Sequence, residues 1–249
     1  MRPPAIQYLS LSTFPSSAAN AIQVVKMCEA FARQGCATRL HAFARKGAPK
    51  ASLSEIAGHY GVDENFDLAL YRKVRWRNWV MGLRAAGGGR DRVIYARNVI
   101  ASYHASRRGR PVVLEIHHPY DTGRVEHGVL KRLSRAPQCL GAVAISHALK
   151  DRLAQDYPGF EGRILVAPDA ASPMARSQVR DPQPRSRFQV GYVGSLYAGK
   201  GFSRIAGLAG RLPWATFHVI GEVEQLRQRG IAPESLPGNL VLHGYQPPS

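Results

Sequence analysis

Cysteine is scarce in this chain of 249 residues. Only Cys28, Cys36 and Cys139 occur, widely spaced and without a CxxC pair. An odd, dispersed set excludes a disulfide framework and a zinc-ribbon ligand set, and points to a reducing compartment. Long apolar runs are missing too: no stretch approaches the ~18 residues of a membrane-spanning helix. The apolar run after the opening Met-Arg-Pro-Pro is too short and too polar for a signal peptide. The expected location is cytoplasmic, with a peripheral position at the inner membrane face as the variant. A glycine fingerprint is absent where a dinucleotide enzyme needs one. The first strand leads into Ser12-Thr-Phe-Pro-Ser-Ser17 and not into G-x-G-x-x-G, which counts against a nicotinamide-dependent enzyme. There is no repeat of fixed period and no low-complexity tract.

Acidic residues are the other shortage. Asp and Glu number 17 against 34 Lys and Arg, a formal charge of +17. The excess is uneven: residues 1–187 carry 29 basic and 14 acidic side chains, residues 188–249 five and three. A basic first part suits an anionic partner, whether nucleic acid, an anionic membrane face or a phosphorylated substrate; the alternative is a soluble arginine-rich domain. The basic residues are scattered and no zinc-finger or RNP-type signature is present, so nucleic acid is the disfavoured partner.

What remains is ordinary for a globular protein, with 45% apolar and 20% charged residues. The length suits one large or two modest domains. Ala5 to Leu11 reads as a strand, Ser12 to Ala19 as a small-residue loop, Asn20 to Gln34 as a helix ended by Gly35, and Thr38 to Ala44 as a strand. This β-loop-α-β opening starts a doubly wound sheet. Further strands are expected at Asp67–Leu70, Arg92–Ala96, Pro111–His117, Leu140–Ile145 and Arg163–Ala167. Helices are expected around Ser54–Tyr60, Ile100–Arg108, Gly123–Ser134 and His147–Gln155, the last capped by Ser146. Residues 170–187 hold three prolines and much charge, the composition of a linker. A second β-α-β series follows: Phe188–Val193, Phe202–Leu212, Thr216–Ile220, a helix near Val223–Arg229, and Asn239–His243. The fold class is α/β with two doubly wound domains, 1–169 and 188–249, the second only about half of a typical size.

The second series opens on Val190-Gly-Tyr-Val-Gly-Ser-Leu-Tyr-Ala-Gly-Lys-Gly201. An apolar strand, a glycine turn at Gly194-Ser195, then Lys200-Gly201 and a helix start make a phosphate cradle. Glycine lets N–H groups approach an anion, the helix N-terminus adds partial positive charge and lysine a full one. The pattern by itself is equally that of a tight strand-to-helix turn with a solvated lysine.

Several segments together resemble glycosyltransferase family 4, of the GT-B fold. They are Ser17-Ala-Ala-Asn-Ala-Ile-Gln-Val-Val-Lys-Met-Cys-Glu-Ala-Phe-Ala32, Val112-Val-Leu-Glu-Ile-His117, Ala144-Ile-Ser-His-Ala-Leu-Lys150, Val166-Ala-Pro-Asp169 and Val193-Gly-Ser-Leu-Tyr-Ala-Gly-Lys-Gly201. The resemblance covers essentially the whole chain, through the order and spacing of the motifs. It implies transfer of a sugar from a nucleotide-diphosphate sugar to a hydroxyl, with retention of configuration and no metal or other cofactor. The acceptor would be a cell-envelope or exported glycan, or a lipid-linked precursor. The sequence departs from the family in Ser16-Ser17-Ala18, where glycines are common, in Ser195, where arginine is common, and in Asp169-Ala-Ala171, where Asn-Gly is common. The family's Glu-x7-Glu donor segment would lie beyond Ser249, so the resemblance implies a chain truncated within its C-terminal domain.

The resemblance places Gly194, Ser195, Lys200 and Gly201 at the donor diphosphate, with Lys200 as the cation. It places His117 near the reacting sugar, with Glu115 on the same face of its strand, either orienting the histidine or serving as a structural carboxylate. His118 is the adjacent alternative. Gly221, Glu222, Gly244 and Tyr245 follow strand ends that line the nucleotide pocket in the family; glycine there equally serves a turn. Ser16, Ser17 and Asn20 stand at the first helix start, as simple caps or as the acceptor-side loop. Tyr71 to Arg84 carries five basic residues with Trp76 and Trp79, a composition suited to an anionic membrane surface. Trp76, Trp79, Val80 and Leu83 share one helical face, and buried core is the commoner use of such a stripe. The competing functions are a GT-B enzyme that is not a transferase, such as a sugar-nucleotide epimerase, and a basic nucleic-acid-binding protein.

Overall fold

A computed structural model describes residues 3–72, 76–85, 87, 92–171 and 187–246. The chain divides into two compact units, Met1–Ala171 and Ser172–Ser249. Of the basic aromatic stretch, residues 73–75 lie outside the described residues, as does most of the proline-rich segment 170–187.

Among the described residues, the first unit holds a seven-stranded sheet: β1 (Ala5–Phe14), β2 (Thr38–Ala44), β3 (Asp67–Tyr71), β4 (Arg92–Ala96), β5 (Val112–Ile116), β6 (Cys139–Ala144) and β7 (Ile164–Val166). Their order is β3-β2-β1-β4-β5-β6-β7, every pairing parallel. The order reverses between β1 and β4, and a doubly wound sheet offers its ligand crevice there, outside the carboxyl ends of the strands.

Among the described residues, six helices join these strands: α1 (Ala19–Arg33), α2 (Leu53–Tyr60), α3 (Arg77–Ala85), α4 (Val99–Ser106), α5 (Val125–Leu133) and α6 (His147–Asp156). A parallel sheet must be covered on both faces, because its strands are apolar on both sides. One face packs Ile6, Tyr8, Leu40 and Leu70 under α1 and α2; the other packs Leu9, Phe43, Ile94 and Leu114 under α3, α4 and α5. Caps set the helix starts. Ser52 and Glu55 form a reciprocal capping box for α2, and Ser146 accepts the Leu149 N–H at the start of α6, as expected.

The apolar stripe of α3 is not core. Trp76 is 69% exposed and Trp79 47% exposed, while Val80 and Leu83 are half-buried. The buried side is Met81, Gly82 and Ala85. A Cβ on Gly82 would lie 2.6 Å from the Ala101 carbonyl oxygen of α4, so the two helices meet backbone to backbone. Only a small residue permits that approach, and the bulky indoles are turned outward.

A polar ladder crosses β1, β2 and β3 inside this unit. His41 is buried, its Nε2–H donates to Gln7 Oε1 (2.7 Å), and its Nδ1 accepts from the Tyr71 hydroxyl (2.6 Å). That arrangement uses the neutral imidazole. Burial first, then the charges of Arg39 and Arg92, lower its pKa from 6.5 to about 4. Because the folded value lies below the unfolded one, the unfolded chain binds the extra proton between them, and stability is lost as pH falls through that window. Urea titrations should show about 2–3 kcal/mol less stability at about pH 4.5 than at about pH 7.5 from this group. His41→Gln should remove that part of the pH dependence; an unchanged slope in the variant would show that His41 titrates normally.

The second unit holds a parallel three-stranded sheet, β8 (Phe188–Val193), β9 (Ala215–Ile220) and β10 (Leu240–Gly244), in the order β10-β9-β8. α7 (Phe202–Arg211) and α8 (Glu224–Arg227) accompany it. Phe202, Ala209, Phe217, Val219 and Leu240 form its core.

Candidate active site

In the first unit a cavity of about 150 Å³ opens at the switch point, lined by Ser10, Ser12, Asn20, Arg97, Glu115 and His117 together with Leu11, His118 and Tyr120. The sheet register breaks between Leu9 and Thr13, so β1 bulges beside the cavity. Ser10 donates to Ser12 Oγ (2.8 Å) within that bulge.

Glu115 is the hub. It is 5% exposed and ends a strand whose alternation turns it and His117 to one side. Tyr8 donates its hydroxyl to Oε2 (2.7 Å), His117 donates Nε2–H to Oε1 (2.5 Å), and Gln23 donates to the same oxygen (3.2 Å). Gln23 also donates to Asp169 Oδ1 (2.5 Å) and accepts from Arg97 (2.5 Å). The Arg97 Nε lies 3.9 Å from Glu115 Oε1. Burial alone would raise the Glu115 pKa. The hydrogen bonds from His117 and Tyr8 and the charge of Arg97 outweigh it, and the carboxyl is held below its usual range. Burial, then the Glu115 carboxylate, raise the Tyr8 and Tyr95 phenols, so both remain donors.

This network orients the His117 ring, which stands between two carboxylates: Nε2 lies against Glu115 Oε1 and Nδ1 faces Asp169 Oδ2 at 3.6 Å. Glu115, His117 and Asp169 are close enough to share a metal ion. Glu115, however, already accepts three N–H and O–H donors and lies beside the Arg97 cation, an arrangement suited to a fixed anion and not to an open ligand. His118 is exposed and lies against Tyr120. Sequence reasoning brought out Glu115 and His117. It missed Tyr8 and Arg97, and held Gln23 and Asp169 only as parts of family motifs. Arg97 left one signal, a charged residue directly after a strand at the switch point; Tyr8 reads as core, and Gln23 as an ordinary helix residue.

The expected capping by Ser16, Ser17 or Asn20 is not observed. The N-cap of α1 is Ala18, without a side-chain cap. Ser16 Oγ instead accepts the Ala18 N–H (3.2 Å), and the backbone of Ser16 is pinned on both sides by the Tyr60 hydroxyl. Asn20 lines the cavity.

In the second unit, β8 runs through Gly194–Gly201 into α7. Gly201 has φ +86°, a left-handed conformation that glycine takes without penalty, and α7 begins with no side-chain cap. Its first N–H groups therefore remain available to an anion. The Gly194 N–H donates to the Ile220 carbonyl (3.0 Å), so of the expected pair only Ser195 presents donors. The Tyr192 hydroxyl lies 2.9 Å from the carbonyl oxygens of both Ser195 and Lys200 and closes the loop. Gln225 accepts the Leu196 N–H (2.7 Å), and Arg229 donates to the Leu196 carbonyl (2.6 Å). The Lys200 ammonium is exposed, 5.5 Å from the Tyr197 ring centre.

Gly221 has a packing role. A Cβ there would lie 2.4 Å from the Gly194 carbonyl oxygen. Glu222 accepts from Gln225 (3.1 Å) and so helps hold the loop. Gly244 has φ +72° and accepts the Gly221 N–H, and Tyr245 is exposed.

The sequence profile of Glycosyltransferase Family 4 matches residues 21–171. No curated protein matches the chain in sequence. Solved structures share its fold. A glycosyltransferase from Rickettsia africae ESF-5 is 11% identical, with 99% of this chain and 69% of that one covered and a TM-score of 0.65. S. aureus TarM, crystallised with fondaparinux, α-GlcNAc-glycerol and UDP, is 8% identical over 98% of this chain and 78% of that one, with a TM-score of 0.64. The UDP-GlcNAc 2-epimerase of Neisseria meningitidis, bound to UDP-GlcNAc, is 11% identical over 98% and 72%, with a TM-score of 0.54. At such identities the likeness is one of fold, and the fold serves both chemistries.

Proposed function

The chain belongs to glycosyltransferase family 4, and from that premise we propose that it transfers a sugar from a nucleotide-diphosphate sugar to a hydroxyl acceptor, with retention of configuration. The acceptor is a cell-envelope or exported glycan, free or lipid-linked. The observation that carries this reading is the Glu115–His117 pair, 2.5 Å apart, at the carboxyl end of β5 in a cavity at the switch point.

The chemistry asks for two things. As the C1–O bond to the diphosphate breaks, its electron pair leaves on the phosphate oxygen, and fixed donors must meet that charge. Lys200, the Ser195 donors and the open N–H groups at the start of α7 take that role. The acceptor oxygen bonds C1 and its proton leaves with the nucleoside diphosphate. No protein nucleophile is assigned. His117 presents its Nδ1 edge to a sugar hydroxyl, and Glu115 at Nε2 keeps the ring in that orientation. Ser10, Ser12 and Asn20 supply further polar contacts to the sugar. UDP in the TarM crystals supports a nucleotide donor for a protein of this fold.

The epimerase of the same fold keeps one rival reading open. The two separate on a panel of UDP-, GDP-, ADP- and TDP-sugars, incubated with and without hydroxyl acceptors, with nucleoside diphosphate release and sugar configuration measured. Acceptor-dependent release is expected. Isomerisation without acceptor would support the epimerase, and failure to bind any nucleotide sugar would sink both.

A further inference from the structure

The carboxyl ends of β1, β4 and β5 frame the Glu115–His117 cavity, and the amino ends of the same sheet frame another. A cavity of about 440 Å³ opens there, with Gln7, Arg39, Glu64, Asn65, Asp67 and Arg92 in its lining. The most buried of these is Gln7, 3% exposed. Its Oε1 lies 2.7 Å from His41 Nε2, and its Nε2 lies 3.4 Å from the Ile6 carbonyl oxygen. Turned the other way, the amide would set oxygen against oxygen, so the place of its NH2 group is fixed. That group carries two N–H donors, and its one acceptor in the fold stands at the long limit of a hydrogen bond. A buried donor thus remains for a ligand. Arg92 is half-buried and has no carboxylate within ion-pair distance among the described residues, while Arg39 meets Asp67 only at 3.6 Å. On the adjacent strand, Arg110 precedes Val112 by two residues, as Arg92 precedes Ile94, the register partner of Val112. Arg110 is 3% exposed, and its Nε and Nη2 have no hydrogen-bond partner. This edge of the sheet carries more cation than its own acids answer, and a buried cation without a counter-charge is costly.

The lining selects the chemistry of the ligand. Arg92 and the Gln7 amide offer N–H donors to an anion, and a guanidinium pairs a phosphate in bidentate fashion. Glu64 and Asp67 are acceptors, suited to hydroxyl groups and not to a second anion. Asn65 serves hydroxyls in both senses, since its Nδ2 has only a 3.5 Å contact, to the Glu29 carbonyl. Phe66, the aromatic residue of the lining, is 4% exposed and offers no open ring face to a nucleobase. The volume lies in the range of small-molecule sites. We propose that this amino-edge cavity binds a phosphorylated polyol of sugar-phosphate size, with the phosphate at Arg92 and Gln7 and the hydroxyls at Glu64, Asn65 and Asp67. The site is separate from the Glu115–His117 cavity and does not depend on the transfer reaction.

The test is calorimetric titration of the whole chain with glucose 6-phosphate, glucose and inorganic phosphate, paired with thermal melting. Saturable binding of glucose 6-phosphate and a raised melting temperature are expected, with glucose and inorganic phosphate each about tenfold weaker or more. Arg92→Gln should weaken sugar-phosphate binding about tenfold or more. If that variant does not fold, Arg92→Lys replaces it; it keeps the charge without the planar fork, and a smaller loss is expected. Glu64→Gln, at an exposed position, should melt with wild type and narrow the preference for sugar phosphate over inorganic phosphate. His117→Ala and Lys200→Ala, in the other cavity and in the second unit, should bind glucose 6-phosphate as wild type does. The proposal is overturned if glucose 6-phosphate does not bind, or if the Arg92 variant binds it with wild-type affinity. Equal binding of inorganic phosphate overturns it too, as the mark of an adventitious ion only. So does binding that is lost in His117→Ala or Lys200→Ala and kept in the Arg92 variant.

Discussion

Replacing Glu115 by alanine is expected to remove about 3–5 kcal/mol of folding stability. The side chain accepts from Tyr8, His117 and Gln23 and balances Arg97 nearby. Truncation strands several buried donors at once and leaves the arginine without its counter-charge. Each stranded donor costs about 1–3 kcal/mol where water does not reach it, and the sum is reduced by relaxation. Glu115→Gln keeps one acceptor oxygen but turns an NH2 group toward existing donors, so an intermediate loss is expected. The effect has a pH signature. The Glu115 pKa is depressed in the folded state, so its contribution is present above the unfolded carboxylate pKa and is lost as pH falls through the folded one. Wild type and Glu115→Ala should therefore converge in acid. Urea titrations across pH measure both features. A loss below about 1 kcal/mol at neutral pH would show that water replaces the carboxylate and that the hub does not hold the site together.

Lys200→Ala should lower kcat/KM for the nucleotide sugar about 10²–10³-fold, the scale seen when one donor to a developing oxyanion is removed. The ammonium is exposed, so the variant should melt with wild type. Arg at this position retains the charge but not the compact point shape, and should recover activity only in part. Equal donor affinity in Lys200→Ala would sink the phosphate-cradle assignment and leave Gly194–Gly201 as a strand-to-helix turn. A collapse of stability would mean that the loop depends on Lys200 for its own structure. The latches formed by Tyr192, Gln225 and Arg229 argue against that.

Much of the fold was legible because local pattern carries it. The strands at Thr38–Ala44, Arg92–Ala96 and Phe188–Val193 occur with the bounds read from their apolar runs and glycine punctuation. β1 runs three residues further, to Phe14, because a bulge lets a loop-like serine segment rejoin β2 at Thr13. In α3 the period was legible and the facing was not. Spacing alone tells that Trp76, Trp79, Val80 and Leu83 share a side; it does not tell whether α4 lies on that side. Gly82 decides it, through a distance to Ala101 that no local pattern encodes.

For the site, the i, i+2 rule already put Glu115 and His117 on one side of their strand, and the family resemblance gave that pair its importance. The partners that fix it come from far along the chain. Tyr8 is 107 residues from Glu115, and Gln23 is 146 residues from Asp169. The sequence by itself determined the α/β class, the succession of strands and helices, the glycine-lysine loop and the carboxylate–histidine pair. The first three follow from periodicity and from residue types at short spacing; the pair was singled out by the family resemblance, and spacing added only its shared face. The tertiary structure alone decided that Glu115 accepts from Tyr8 of β1 and Gln23 of α1 as well as from His117, that Ser16 is pinned and not capping, that Gly221 is a packing glycine, and that Trp76 and Trp79 face outward. Each depends on which distant backbone lies within a few ångströms, and the folded packing sets that distance.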